Sequence, residues 1–176
     1  MSQGLVKYDK HYAESERACG GPFAPLVEFA RSLEHKATVL DLGCGQGRDS
    51  LLFARAGHRV VGIDVSRVGV AQLSERAREE ALDLTASVGD VQAFETEETF
   101  DVVILDRVLH MLSDNPARMQ VLDRACRATA SGGSILISEY PKQVDLLRGY
   151  FSNHPRWKVF RDSKGFVFVH KEVQES

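Results

Sequence analysis

The sequence predicts an α/β protein: an open, mostly parallel sheet of about seven strands, with helices on both faces and an antiparallel hairpin at the carboxy-terminal end. Three observations lead there. Short apolar runs alternate with helix-length amphipathic segments, the pattern of parallel βαβ units. The runs are apolar at nearly every position, as strands covered on both faces must be. The last two runs are separated by roughly three turn residues, Ser163, Lys164 and Gly165. That is far too few for a parallel crossover, so this pair is antiparallel.

The elements follow in order. The first 22 residues are polar and aromatic and end at Gly20-Gly21-Pro22. Phe23, Leu26, Val27, Ala30 and Leu33 recur at helical spacing, which predicts a helix over 23–33. The apolar run 37–42 is a buried strand, and the helix after it stops at Gly57. A strand over 58–64 leads to Ser66, a cap for a helix reaching residue 80 with Val70, Leu73 and Ala77 on one face. A weak strand over 84–88 and a strong one over 100–106 come next. Asp114 caps a helix expected over 114–130 and closed by Gly132-Gly133. A strand over 134–139, a helix over 142–151 and strands over 156–162 and 165–171 complete the chain.

The 176 residues suit one domain with a sizeable core. Apolar residues make up 43% and charged ones 27%, ordinary for a soluble globular protein. The net charge is −3 and no cluster of basic residues occurs, so no nucleic-acid or anionic-membrane partner is expected. Cys19, Cys44 and Cys126 form no CxxC pair and no zinc spacing, so no metal is expected and the thiols read as reduced. The opening residues are polar rather than signal-like, and no apolar run approaches the ~18 residues of a membrane span. Together these place the expected location in the cytoplasm.

The stretch VLDLGCGQGRDS, residues 39–50, carries the chemistry. Gly43, Gly45 and Gly47 fall after the first strand of the alternating series, where open α/β sheets bind ligands. Glycines there permit a tight turn and close approach of backbone to ligand. The dinucleotide fingerprint G-x-G-x-x-G fails, because its last glycine would fall on Arg48. Asp41 would also repel a pyrophosphate. A ligand with an ammonium group and no phosphate reverses that objection, and S-adenosyl-L-methionine (SAM) is such a ligand. Asp64 stands at the end of the adjacent strand and suits a bidentate acceptor for ribose hydroxyls, although the same acid would serve an NAD ribose.

VLDLGCGQG resembles motif I of the class I SAM-dependent methyltransferases. VVGIDVS, VGDVQAF and FDVVILDRVLHML are similar to the three motifs that follow it, and the resemblance spans nearly the whole chain. It implies a Rossmann-like fold in a single domain over 1–176. Within it, 1–33 would be a helical cap, 37–139 the SAM-binding core, and 140–176 a terminal helix and hairpin. It implies SAM as cofactor and S-adenosyl-L-homocysteine (SAH) as product. Asp41 would serve the amino group, with the backbone of Gly43, Cys44, Gly45 and Gly47 forming the loop. Asp64, with Val65 beside it, would hold the ribose. Asp90 and Val91 would meet the adenine, and Asp106 and Arg107 the methionine moiety. Tyr8 and Tyr12 could close over the sulfonium with their ring faces.

The cap segment and GCGQGRDSLLFARAGHRVVGIDVS are similar to compact small-molecule methyltransferases, the tellurite-resistance group and related thiol enzymes among them. With only YPKQ between the strand ending at Glu139 and the next helix, no long insertion builds an acceptor pocket. A small-molecule acceptor follows, a thiol, a chalcogen oxyanion or another nucleophile. DRVLHM stands where adenine amino methylation has N/D-P-P-Y, and the nucleophilic Pro-Cys of cytosine methylation is missing. His110 could be a base or a core histidine, and Tyr12 is a second catalytic candidate. Arg17 and Cys19 could contact the acceptor. Cys126 and Trp157 read as packing. A SAM-binding sensor or partner subunit without catalysis remains open, as does a protein or nucleic-acid methyltransferase. An NAD enzyme is disfavoured by Arg48 and Asp41. A monomer or a homodimer is expected.

Overall fold

The computed structural model describes residues 3–15, 18 and 20–173, with side chains from Tyr8 onward. The chain divides into two compact units, Met1–Val91 and Gln92–Ser176.

The amino-terminal unit contains α1 (Gln3–Glu14), α2 (Ala24–Ser32), β1 (Thr38–Leu42), α3 (Arg48–Arg55), β2 (Arg59–Asp64), α4 (Arg67–Glu79) and β3 (Leu84–Val88). Its strands run β3-β2-β1, all parallel, with Asp41 opposite Gly62 and Asp64 opposite Val88. Val39, Leu40 and Leu42 are fully buried, as a strand covered on both faces requires, and Phe53 of α3 and Leu73 of α4 are buried as well. Ser66 caps α4 as expected, its Oγ accepting the Gly69 N–H at 3.0 Å.

The carboxy-terminal unit contains β4 (Phe100–Asp106), a 3-10 turn (Leu109–Met111), α5 (Asn115–Ala128), β5 (Thr129–Ser138), α6 (Pro141–Ser152), β6 (Trp157–Ser163) and β7 (Phe166–Lys171). Its strands run β4-β5-β7-β6, the first pair parallel and the other two pairs antiparallel. Its core is Val102–Leu105 of β4, Ile135–Ile137 of β5, Leu122 of α5 and Phe168 of β7. Asp114 caps α5 through the Ala117 N–H at 2.9 Å. The seven strands give the mixed, mostly parallel sheet with a terminal antiparallel hairpin that the sequence predicts.

Two boundaries differ from expectation. The helix expected over 114–130 ends at Ala128, and the strand begins at Thr129 rather than Ser134. Gly132 and Gly133 therefore lie inside β5, where the register jumps from Phe100↔Thr129 to Val102↔Ser134. A Cβ on Gly133 would come within 2.9 Å of the Asp101 carbonyl oxygen, so the glycine serves a close strand approach rather than a helix stop. The hairpin turn is also tighter than expected: β6 includes Ser163, and only Lys164 and Gly165 (φ +86°) connect the strands.

Trp157 is buried against Phe151, ring centroids 5.8 Å apart, in the packing role expected of it. Cys126 is half-buried beside the Tyr150 hydroxyl at 3.7 Å. Among the described residues no helix is long and apolar enough to cross a membrane.

Candidate functional site

The glycine turn lies between β1 and α3. Gly43 and Cys44 both donate backbone N–H groups to the Ile63 carbonyl, at 2.7 and 3.1 Å. That ties the turn to β2. Gly43, Gly45 and Gly47 all have positive φ (89°, 50° and 85°), a conformation that side chains rarely adopt. At Gly45 space is also short: a Cβ would stand 2.6 Å from the Tyr12 hydroxyl oxygen. On the other side, Gly69 of α4 approaches so closely that its Cβ would sit 2.9 Å from the Gly45 carbonyl. The turn is thus pressed between a tyrosine and a helix start. The Cys44 side chain is buried against Gly62 of β2, and burial pushes its thiol pKa well up. It fills space rather than reacting.

Three carboxylates surround this turn. Asp41 is 2% exposed and accepts a hydrogen bond from the Ser50 hydroxyl at 2.5 Å. Burial, and next the charge of Asp49, push its pKa up to about 7. Asp49, in the first turn of α3, is buried with Arg48 Nε 3.5 Å away, and desolvation raises it too. Asp64 accepts the Gly45 N–H at 2.8 Å on one oxygen and the Ser66 N–H at 2.7 Å on the other. Its pKa is raised by burial, against the lowering effect of those two donors. A buried set of acids poised this way is relieved by a cation.

The other expected residues fall around the same unit. Val65 is exposed after β2; Asp90 is exposed and Val91 buried after β3. Tyr12 is buried, and Tyr8 is half-buried with its ring 5.9 Å from that of Tyr12. Arg17 and Cys19 lie outside the described residues. Gln46 was not anticipated. Its amide nitrogen donates to the Ser15 and Tyr12 carbonyls at 2.6 and 3.3 Å and to Gln72 Oε1 at 2.7 Å. Its oxygen accepts the Ala18 N–H at 2.9 Å. The segment after α1 is therefore fastened to the glycine turn itself.

In the carboxy-terminal unit, Asp106 ends β4 nearly buried. Arg107 follows in the left-handed region, φ 58°, its N–H donating to the Ser138 carbonyl at 2.8 Å. Its guanidinium lies 4.4 Å from the centre of the Tyr140 ring. His110, on the 3-10 turn, meets Tyr140 edge to face at 4.8 Å. Its Nδ1 is 3.2 Å from Oε2 of Glu139, a buried residue that the sequence marks only as the end of a strand. The one available signal was its position at the carboxyl end of a sheet strand, where ligand-binding residues collect. Among the described residues no group of three or more His, Cys, Asp or Glu side chains could hold a metal ion.

The sequence matches the methyltransferase domain family over residues 33–166. The chain belongs to that family. Phosphoethanolamine N-methyltransferase 1 of Triticum aestivum is 34% identical over 144 residues, 79% of this chain and 28% of the relative. A probable SAM-dependent methyltransferase, TehB of Haemophilus influenzae, is 31% identical over 99 residues, 56% of this chain and 34% of the relative. The chain thus spans about a third of the length of these curated relatives. The N-methyltransferase NodS of Bradyrhizobium japonicum WM9, solved with SAH, superimposes with a TM-score of 0.78 at 16% identity, covering 97% of this chain and 99% of that one. The expected class I methyltransferase fold is borne out, and SAM is the methyl donor of that class. The residues present suit it: SAM brings an ammonium and a sulfonium, and the glycine turn lies among buried carboxylates whose ionised forms a cation favours.

Proposed function

We propose that this methyltransferase transfers the methyl group of SAM to a small-molecule nucleophile. The observation that carries the cofactor half is the glycine turn ringed by Asp41, Asp49 and Asp64, three buried acids that favour a cationic ligand and repel a pyrophosphate. Asp41 serves the ammonium group, and the backbone of Gly43, Cys44, Gly45 and Gly47 lets the ligand approach. Asp64 already accepts one N–H on each oxygen, and each oxygen keeps a lone pair for a ribose hydroxyl. Val65 flanks the ribose; Asp90 and Val91 take the adenine, and Asp106 and Arg107 the methionine moiety. Tyr12, with Tyr8 against it, offers ring faces to the sulfonium. His110, with Arg17 and Cys19, is assigned to the acceptor.

When bound, the sulfonium supplies an already activated methyl group, so holding the acceptor in line accounts for much of the rate. Phosphoethanolamine, named for the wheat relative, is a small polar acceptor and supports that size class. The net charge of −3 supports an enzyme working without nucleic acid; a cytoplasmic location and a monomeric or homodimeric state belong to the same proposal. Titration calorimetry with SAM and SAH tests the cofactor: absence of binding below millimolar by the folded chain overturns it. SAH release with any of a panel of thiols, alcohols, amines and oxyanions rejects the reading as a SAM-binding protein without catalysis.

A further inference from the structure

Glu139 has two unequal tasks at its two oxygens. Oε1 accepts the N–H groups of Leu109 and His110, at 2.7 and 3.3 Å, and so caps the 3-10 turn. Oε2 faces the His110 ring at Nδ1, 3.2 Å away, with the Tyr140 N–H at 3.3 Å. Three backbone donors converge on this carboxylate, so what it presents to the imidazole is an acceptor, and Nδ1 is the donor. A neutral imidazole that carries its proton on Nδ1 has its lone pair on Nε2.

The ring is held from further directions. Tyr140 meets it at 89°, and the Arg107 guanidinium lies over that same tyrosine. The turn beneath is pinned by Arg118, whose Nε and Nη2 donate to the Leu109 and Leu112 carbonyls at 2.9 and 2.7 Å. The His110 side chain keeps 22% of its surface exposed, enough for a ligand to reach it. A core histidine would be enclosed, and a capping glutamate alone would not require an imidazole.

We infer that Glu139 is a positioning residue that holds His110 in the Nδ1–H form with Nε2 as proton acceptor, so the methyl acceptor is a hydroxyl or ammonium group protonated at neutral pH rather than a preformed thiolate. This rests on the methyltransferase reading and narrows its acceptor class. In the step, the acceptor's proton passes to Nε2 and the pair it leaves behind forms the bond to the methyl carbon. The sulfur–methyl bond breaks with its electrons going to sulfur, leaving neutral SAH and an imidazolium that returns its proton to water.

The test uses the full chain with 15N-labelled histidine, and long-range proton–nitrogen spectra of the imidazoles, His110 being assigned by its loss in His110→Asn. The expected wild-type result is a protonated Nδ1 and a bare Nε2. In Glu139→Gln the single amide oxygen is needed by the Leu109 and His110 N–H groups. Its NH2 then falls on Nδ1, and the expected result is a flip to Nε2–H. A wild-type Nε2–H form, or an unchanged form in Glu139→Gln, overturns the inference. SAH binding by calorimetry should be unchanged in both variants, so loss of the tautomer effect is distinguishable from failure of the cofactor reading. With a panel of phenols, aliphatic alcohols and amines, SAH release should fall about 100-fold or more in His110→Asn. Turnover of 4-nitrothiophenol, ionised at neutral pH, with none of the protonated acceptors also overturns it.

Discussion

Oδ2 of Asp64 accepts the backbone N–H of Gly45 at 2.8 Å, so the last residue of β2 holds the middle of the glycine turn in place. The same carboxylate is the candidate ribose ligand. Asp64→Ala should therefore act twice. It removes the acceptor for two buried N–H groups, a loss of about 1–3 kcal/mol of stability. It should also weaken SAH binding at least about tenfold, equivalent to about 1.4 kcal/mol. Calorimetric affinity and a thermal melt on one preparation separate the effects; wild-type affinity would remove Asp64 from the site.

Gly45 and Tyr12 form a second testable pair. Gly45→Ala places a methyl group 2.6 Å from the Tyr12 hydroxyl oxygen, at a φ of +50°. Overpacking costs about 1–3 kcal/mol. In a Tyr12→Ala background the collision disappears and only the backbone strain remains, about 1 kcal/mol. A double-mutant cycle in chemical denaturation should show that difference as a coupling energy; additive effects would mean that Tyr12 does not press on the turn.

Asp41 gives a pH dependence with a defined sign. Its pKa rises from 3.8 to about 7 in the folded chain, so the folded state binds the proton more tightly than the unfolded state. Its contribution to stability is full below about pH 4 and falls as pH rises toward 7, because ionising a buried group is costly. Asp41→Asn is neutral throughout. The expected outcome is a melting temperature for the mutant that gains on wild type between pH 4 and pH 7. Excess SAH, which brings an ammonium, should narrow the gap. A constant difference across that range would show that Asp41 does not titrate there.

Gln46 fastens the segment after α1 through its bonds to Tyr12, Ser15, Ala18 and Gln72. Gln46→Leu keeps the volume and removes the amide. Hydrogen exchange should quicken at the amides of Ser15 and Ala18 while the amides of β1 and β2 keep their protection. Equal acceleration in both would make the residue a general prop of the unit.

The order of strands and helices was legible because each strand is an apolar run and each helix has one apolar face, and those periodicities survive tertiary packing. Ser66 and Asp114 worked as caps where they were read, since capping is a local hydrogen bond. The glycine turn and its acids were legible for a related reason: φ above zero and a carboxylate at a strand end leave residue types behind. Gln46 and Glu139 were not. Each acts through partners distant in sequence, as with Glu139 and Leu109, separated by 30 positions. Nothing local distinguishes such a residue from an ordinary polar one. Gly132-Gly133 shows the converse, a correct local signal with the wrong cause: the chain needed glycine to bring β5 past Asp101, and helix termination needed nothing there.

Arg107 occupies a backbone conformation that glycine would adopt freely, at a cost of about 1 kcal/mol. Its guanidinium on the Tyr140 ring returns about 0.5–1 kcal/mol. The ring contact offsets part of that strain. Replacing it with glycine should relieve the backbone strain while freeing Tyr140, the ring that abuts His110. At this corner one side chain both holds a strained backbone and braces the ring beside the candidate base, so a single substitution would loosen the two together.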